Sequence, residues 1–148
     1  MNISLKLATV AGLLCAGLLT VTAADKKIEA GPKGGRILPK TSPKAEFFVE
    51  KDKTVSIRFY DAALKPAAAG GEVVTVIAET KDGKVTVEFE NKGDALVSKT
   101  KLPEGGGYNL VVQFKQTADA KPQNFRFKLD LGTCGECKRA EYACICDH

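Results

Sequence analysis

The sequence predicts a small all-β domain, an antiparallel sandwich of immunoglobulin or fibronectin type with about seven strands. Two observations predict this class. Apolar and polar residues alternate with a period of two in short runs from Glu46 onward, as is typical of half-buried strands. Turn-forming residues separate the runs, and no stretch after the N-terminal region keeps a 3.6-residue apolar period over ten residues. A small barrel with the same number of strands is the alternative.

The first 24 residues have the pattern of a secretory signal peptide. Lys6 is their only basic residue, residues 7–21 form an apolar run, and Val-Thr-Ala-Ala at residues 21–24 supplies a small-residue cleavage site. The run is shorter than the ~20 residues of a transmembrane helix. Cleavage after Ala23 or Ala24 is expected, which predicts a periplasmic or secreted protein with no membrane span after cleavage. An uncleaved anchor is the alternative.

Cys15 lies inside the predicted signal peptide and raises the question of a lipid anchor. A lipoprotein signal places a small residue before the acylated cysteine, whereas Leu14 precedes Cys15. We therefore expect Cys15 to leave with the signal peptide as a small apolar residue. The mature chain then has four cysteines, an even number that suits an exported protein.

Length and charge predict one domain and no nucleic-acid partner. Of the 22 basic and 18 acidic residues only Lys6 lies in the signal peptide, so the mature net charge is +3. The lysines are scattered rather than gathered in a stripe, which does not support nucleic-acid binding. We expect a signal peptide over residues 1–24, an extended Lys/Gly/Pro-rich segment over 25–45, the sandwich over 46–131 and a cysteine-rich tail over 132–148.

The strands are expected in the following order. A short strand ends the extended segment near residues 37–38, and seven runs follow at residues 47–49, 55–60, 72–80, 85–90, 95–99, 108–115 and 125–131. The continuously apolar runs 72–80 and 108–115 suit central strands. The short runs 47–49 and 95–99 predict edge strands, and an exposed edge at 95–99 could pair with another chain. Asp82-Gly83 predicts a hairpin, and glycine- or proline-containing turns separate the other runs.

The predicted sandwich has no catalytic set, so we expect a non-enzymatic protein. It contains no cysteine and no tryptophan, which predicts a core without a disulfide. His148 is the only histidine of the chain, which excludes a Ser-His-Asp or Cys-His arrangement within the body. Glu88 and Glu90 share one strand face and are expected to form a solvated face beside basic residues.

The last fifteen residues concentrate the reactive side chains in the pattern C-x2-C-x6-C-x-C-x-H. The candidate metal ligands are Cys134, Cys137, Cys144, Cys146 and His148. A C-x-x-C turn can direct two thiolates at one centre, and the two cysteines of an extended C-x-C segment lie on the same side. Six intervening residues are enough to bring the pairs together. Four thiolates suit zinc, fewer thiolates suit copper(I), and His148 is an optional fifth ligand.

Two other interpretations of the tail remain open at this point. Exported cysteines commonly form disulfides, either as the nested pairs Cys134–Cys146 and Cys137–Cys144 or as the crossed pairs Cys134–Cys144 and Cys137–Cys146. A thiol–disulfide redox centre at Cys134 and Cys137 is the third interpretation, which the intervening Glu136 disfavours because an acid opposes a stabilised thiolate. Tyr142 is expected to be a packing anchor.

Residues 31–38, Gly-Pro-Lys-Gly-Gly-Arg-Ile-Leu, lead into a β run that opens with Ala-Glu-Phe-Phe-Val at residues 45–49. This segment resembles one near the start of periplasmic adaptor subunits of heavy-metal efflux pumps, in which a G-P-x-G-G-x-[IL]-[LF] stretch precedes a small β domain. The resemblance covers residues 31–60. The long helical hairpin and the lipoyl-like and barrel modules of adaptors are missing here, and Lys33 stands where adaptors often have a histidine. The resemblance implies a stand-alone periplasmic β module in a metal-related context.

Together these features predict an exported, non-enzymatic protein that binds or buffers zinc or copper(I) through its tail. A metal ion is the expected partner, and a periplasmic or envelope protein is a further candidate. The competing hypothesis is a structural or interaction module, in which the sandwich contacts a partner and the tail cysteines form two disulfides.

Overall fold

A computed structural model describes residues 27–147 of the chain. The predicted signal peptide and His148 lie outside the described residues. The strands are β1 (Arg36–Leu38), β2 (Lys44–Val49), β3 (Val55–Tyr60), β4 (Pro66–Ala67), β5 (Val73–Thr80), β6 (Gly83–Asn91), β7 (Ala95–Ser98), β8 (Asn109–Lys115) and β9 (Gln123–Lys128). The helical content of the described part is one 3-10 turn at Glu141–Ala143, so the all-β prediction is confirmed. Across residues 27–147, no helix has the length and apolar character to span a membrane.

All nine strands belong to one antiparallel sheet that folds back on itself. The order is β1-β2-β3-β7-β6-β5-β8-β9, and β4 pairs with β3. The sheet bends within β6. The residues of β6 up to Glu88 pair with β5, whereas the residues from Phe89 to Asn91 pair with β7. No ladder joins β1 to β9 within the described residues. The two halves therefore face each other as an open sandwich, which confirms the predicted architecture.

The core fills the space between the two halves. The alternating residues of β3 (Val55, Ile57 and Phe59) and of β8 (Leu110, Val112 and Phe114) are almost completely buried. The rings of Phe59 and Phe114 meet across the core with centroids 6.4 Å apart. Near the open ends of the sheet, the rings of Phe47 on β2 and Phe127 on β9 make an edge-to-face contact at 5.3 Å. In β3 and β8 the period of two thus identifies the face that the sandwich buries.

Most predicted strands are present, and two expectations are wrong. β2 lies between β1 and β3, and β7 lies between β3 and β6, so neither is an edge strand. The hypothesis that residues 95–99 offer an exposed edge fails because β7 is paired on both sides. β5 and β8 are central, as predicted. The hairpin expected at Asp82-Gly83 is also present, with Thr80 opposite Gly83 across a two-residue loop. The short length of these strands did not predict their position correctly, because an edge strand is defined by having a neighbour on one side only and not by its length.

The side chain of Glu46 lies on the face of β2 that points away from the core, and yet it is completely buried. The loop at residues 31–35 covers it and supplies hydrogen bonds. The Gly35 N–H donates to its Oε1 at 2.7 Å, and the Lys33 N–H lies 3.1 and 3.2 Å from its two oxygens. The Tyr60 hydroxyl donates to Oε2 at 2.8 Å. These donors offset the cost of removing the carboxyl group from water.

The glycines of this loop are required by the close approach to Glu46. A β-carbon at Gly31 would lie 2.1 Å from the Glu46 carboxyl carbon, and one at Gly35 would lie 2.3 Å from the Phe47 carbonyl oxygen. Neither distance leaves room for a side chain. The Gly-Pro-Lys-Gly-Gly motif therefore has a structural function, which is to wrap backbone around a buried acid.

The substitution Gly35→Ala is expected to destabilise the domain by roughly 3 kcal/mol, because the clashing atom belongs to the backbone of β2 and cannot rotate away. Urea unfolding of the reduced protein measures this change. Gly70→Ala is the matched control, since its β-carbon would lie 3.5 Å from the Glu72 side chain, an ordinary contact. Equal stabilities for the two variants would contradict the proposed packing.

Tyr60 is expected to make stability fall at alkaline pH. Burial, and then the hydrogen bond and charge of Glu46, raise the pKa of Tyr60 to about 12, compared with about 10 in an unfolded chain. Between these values the folded state holds more protons than the unfolded state, so the free energy of unfolding decreases as the pH rises from about 10 towards 12.

The variant Tyr60→Phe should lose about 1 kcal/mol at pH 7, because one donor to a buried carboxyl group is removed. Its stability should then decline less than that of the unmodified protein above pH 10. Urea unfolding from pH 8 to pH 11.5 gives both slopes. Parallel pH profiles would show that Tyr60 does not titrate in this way.

Candidate metal centre

The tail continues from β9 and folds back on the residues that follow this strand. The Tyr142 N–H donates to the Asp130 carbonyl at 3.0 Å, and the Glu141 N–H donates to the Gly132 carbonyl at 2.8 Å. An isolated antiparallel bridge joins Thr133 to Ala140. The six residues between the two halves of the cysteine pattern therefore return the chain as a hairpin, and the tail has a defined path.

Tyr142 docks this hairpin on the sandwich. Its ring lies 5.9 Å from that of Phe47 in an edge-to-face contact and stacks on Phe127 at 6.4 Å. Its hydroxyl accepts a hydrogen bond from the Val49 N–H at 3.0 Å. The ladder between β1 and β2 begins at the pair Arg36–Phe47 and does not extend to Val49. The N–H of Val49 therefore has no backbone partner in β1, and the Tyr142 hydroxyl takes that place. Tyr142 is an anchor as predicted, but it packs against the sandwich core.

A tight turn presents the first two cysteines. The Cys134 N–H donates to the Arg139 carbonyl at 2.8 Å, and the Lys138 N–H donates to the Cys134 carbonyl at 3.1 Å. Lys138 has φ of +59°, in the left-handed region that non-glycine residues seldom occupy. This reversal immediately after Cys137 turns the chain while keeping both sulfurs on the inner side of the turn.

The four cysteine sulfurs form one cluster. The Sγ–Sγ distances are 3.3 Å between Cys134 and Cys144, 3.6 Å between Cys137 and Cys144, and 3.9 Å between Cys134 and Cys146. All four sulfurs lie within 4.8 Å of one another. A tetrahedron with metal–sulfur bonds of about 2.3 Å has sulfur–sulfur edges of about 3.8 Å. The cluster therefore has the size of a four-thiolate metal site, and these residues could hold a metal ion.

The same distances are much longer than the ~2.05 Å bond of a disulfide. The three sulfur pairs above are therefore not bonded to each other. All four predicted cysteine ligands are brought together, whereas the fifth candidate, His148, lies outside the described residues. Cys134 and Cys144 are buried, and Cys137 and Cys146 are half-buried. The cluster thus has an inner and an outer pair of sulfurs.

The surroundings of the sulfurs differ. Backbone N–H groups of Arg139 and Ile145 point to the Cys137 sulfur and lower the pKa of this thiol. Burial raises the pKa of the Cys146 thiol. At Cys144, a hydrogen bond from the Cys146 N–H lowers the pKa, but burial and the sulfurs of Cys134 and Cys137 outweigh it, and the pKa is raised. Closely spaced thiolates repel one another, and a bound cation would reverse the upward shifts.

Sequence reasoning missed how close the glycine loop is to the tail. A β-carbon at Gly34 would lie 3.8 Å from Nη1 of Arg139, and Lys33 lines the same groove as Cys137. No periodicity or spacing signal links these two segments, which are a hundred residues apart. No protein-family model, curated protein or solved structure matches the chain. Its function must therefore be inferred from the site.

Removing the Tyr142 anchor is expected to destabilise the protein. Tyr142→Ala should cost about 3–5 kcal/mol because it leaves a cavity between Phe47 and Phe127. Tyr142→Phe keeps the ring and should cost about 1 kcal/mol, with faster hydrogen exchange at the Val49 amide. Unfolding and amide exchange of the reduced chain measure both effects.

Ile145→Ala is the control within the same tail, because the Ile145 side chain is exposed. It should change stability by no more than about 0.5 kcal/mol. If Tyr142→Ala were as mild as this control, the tail would not be docked through Tyr142.

Proposed function

We propose that this chain is an exported, non-enzymatic protein that binds or buffers a thiophilic metal ion, zinc in the first place and copper(I) in the second. The ligands are Cys134, Cys137, Cys144 and Cys146, with His148 as an optional fifth. The observation that carries this proposal is the convergence of all four sulfurs within 4.8 Å. The folded tail brings together cysteines that lie up to twelve positions apart in the sequence.

Zinc is the first choice because the donor set is closed and purely thiolate. Structural zinc sites are tetrahedral and commonly use four cysteines, and they leave no position open for water or a substrate. Copper(I) would use fewer of these sulfurs. A site with four protein ligands suits binding and storage rather than catalysis, which agrees with the lack of a histidine before residue 148.

The docked tail favours metal binding by lowering the cost of ordering it. A flexible tail would lose conformational entropy on binding, at roughly 1–2 kcal/mol for each backbone residue that is fixed. Here the hydrogen bonds of Glu141 and Tyr142 and the aromatic contacts of Tyr142 already hold the hairpin in place. The folded domain therefore bears most of the ordering cost, and binding energy is used for the metal–sulfur bonds.

Export and a metal-related context are further parts of the proposal. The first 24 residues supply the secretory pattern, and the resemblance of residues 31–60 to efflux-pump adaptors supports a location in the cell envelope. The resembling loop and the tail are neighbours, since Arg139 of the tail lies beside Gly34. A periplasmic or envelope protein would then supply or receive the metal.

A structural module with two disulfides is the second candidate function. It is favoured by the shortest sulfur–sulfur distance, 3.3 Å between Cys134 and Cys144, which belongs to the crossed pairing with Cys137–Cys146. In an oxidising compartment such bonds would hold the tail itself as a compact hairpin without any metal. The two candidates differ in the mass of the isolated protein.

Native mass spectrometry of the protein purified from the exported fraction should show one metal ion for each chain and four reduced cysteines after denaturation. Cys144→Ser should lose most of the metal, because the sulfur of Cys144 lies closest to two other sulfurs, those of Cys134 and Cys137.

Cobalt(II) substitution should give the intense visible bands of tetrahedral thiolate coordination. Adding zinc at 100 times its dissociation constant should stabilise the fold by about 2.7 kcal/mol.

Glu141→Gln serves as the control, since it changes an acidic residue of the same tail between the ligands Cys137 and Cys144. It should keep the full metal content. A metal-free protein four protons lighter than the reduced chain would identify two disulfides and reject the metal-binding function.

A further inference from the structure

A basic groove opens beside the cysteine cluster. It has a volume of about 670 Å³ and lies between the turn that joins β2 to β3 and the tail. Cys137 forms part of its wall, whereas the buried Cys134 and Cys144 do not. The charged residues of the wall are five cations and one carboxylate, Lys33, Lys51, Lys53, Lys138, Arg139 and Glu50.

Some of these cations are already neutralised within the protein. Lys33 forms an ion pair with Glu50, and Lys53 forms one with Glu104. Three cations of the wall pair with no carboxylate of residues 27–147, namely Lys51, Lys138 and Arg139. In addition, Nη1 of Arg139 is buried and has no hydrogen-bond partner among residues 27–147. The groove therefore carries excess positive charge.

This charge decides which form of a metal can approach. A hydrated metal cation is repelled by the groove, whereas a metal held by a polyanionic chelate is attracted. A cavity of this size fits a small molecule. Cys137, which is half-buried and lines the groove, is the sulfur that such a chelate reaches first.

We propose, on the basis of the proposed metal-binding function, that the groove binds small polycarboxylate chelates of the metal and that the metal passes between chelate and protein through Cys137. In the transfer, metal–oxygen bonds to the carboxylates are replaced by metal–sulfur bonds to the four cysteines. The thiol protons leave to solvent, and the chelate is returned as the free anion. No electrons are exchanged, so the step requires no oxidant or reductant.

Citrate is a suitable probe because it is a small tricarboxylate that chelates zinc. Titration of citrate into the reduced, metal-free protein should shift the amide resonances of Lys51, Thr133 and Lys138 in a saturable way. Lys51→Glu should weaken citrate binding at least fivefold. Lys121→Glu makes the same charge change at an exposed site outside the groove and should weaken it less than twofold. Unsaturable shifts, or equal effects of the two variants, would overturn the proposal.

The kinetic test measures zinc transfer from zinc citrate to the apoprotein. Raising sodium chloride from 20 to 500 mM should slow transfer at least tenfold, because exposed charges are screened beyond a few ångströms at high salt. Lys51→Glu should slow it by a similar factor, and Lys121→Glu should not. The zinc dissociation constant, obtained by competition with a neutral chelator, identifies any variant whose thiolate site is itself damaged.

The two proposals fail in different ways. If the protein binds zinc but transfer is equally fast for Lys51→Glu and Lys121→Glu, the groove has no role in delivery and the metal-binding function stands. If citrate binds in the groove but zinc is not taken up, the metal-binding function is rejected and the delivery role with it.

Discussion

The contact of Tyr142 with Phe47 and Phe127 is the interaction on which both the fold and the site depend. Phe47 and Phe127 belong to strands near opposite ends of one folded sheet, and their edge-to-face contact joins those ends across the core. Tyr142 adds a third ring and takes up the Val49 amide that the sheet leaves unpaired. Aromatic burial of this kind contributes more than any single hydrogen bond, and it fixes the hairpin that carries the four cysteines.

Glu46 shows how a polar group can organise the same end of the molecule. A buried carboxyl group is unfavourable unless its oxygens are hydrogen-bonded, and here the glycine loop and Tyr60 supply the donors. Wrapping the loop around Glu46 also brings Gly34 next to Arg139. The glycine loop at residues 31–35 and the cysteine tail are thus parts of one surface, although they are far apart in the sequence.

The chemistry of this surface is consistent with a metal site. Four sulfurs at tetrahedral spacing would carry a net negative charge with a divalent ion bound, and the neighbouring wall of the groove is cationic. Positive charge beside thiolates favours the deprotonated form that binds metal. In the proposed delivery the same charge selects anionic carriers over hydrated cations, so one electrostatic feature would serve both retention and exchange of the metal.

The sequence by itself determined most of the secondary structure and the set of candidate ligand residues, because both depend on local patterns. Alternation with a period of two predicted most strands, Asp82-Gly83 predicted the hairpin, and the spacing of Cys134, Cys137, Cys144 and Cys146 predicted that four sulfurs could meet, as metal ligands or in disulfides. The strand β4 has two residues, which is too short to show an alternating pattern. The short lengths of β2 and β7 led to the wrong prediction that they are edge strands.

Only the tertiary structure decided how the sheet folds at β6, that the tail docks through Tyr142, and that Lys33 and Lys51 share a groove with Cys137. These three features depend on contacts between residues that lie many positions apart in the sequence. Such contacts are stabilised by packing and burial, and local sequence patterns do not show which distant residues will meet.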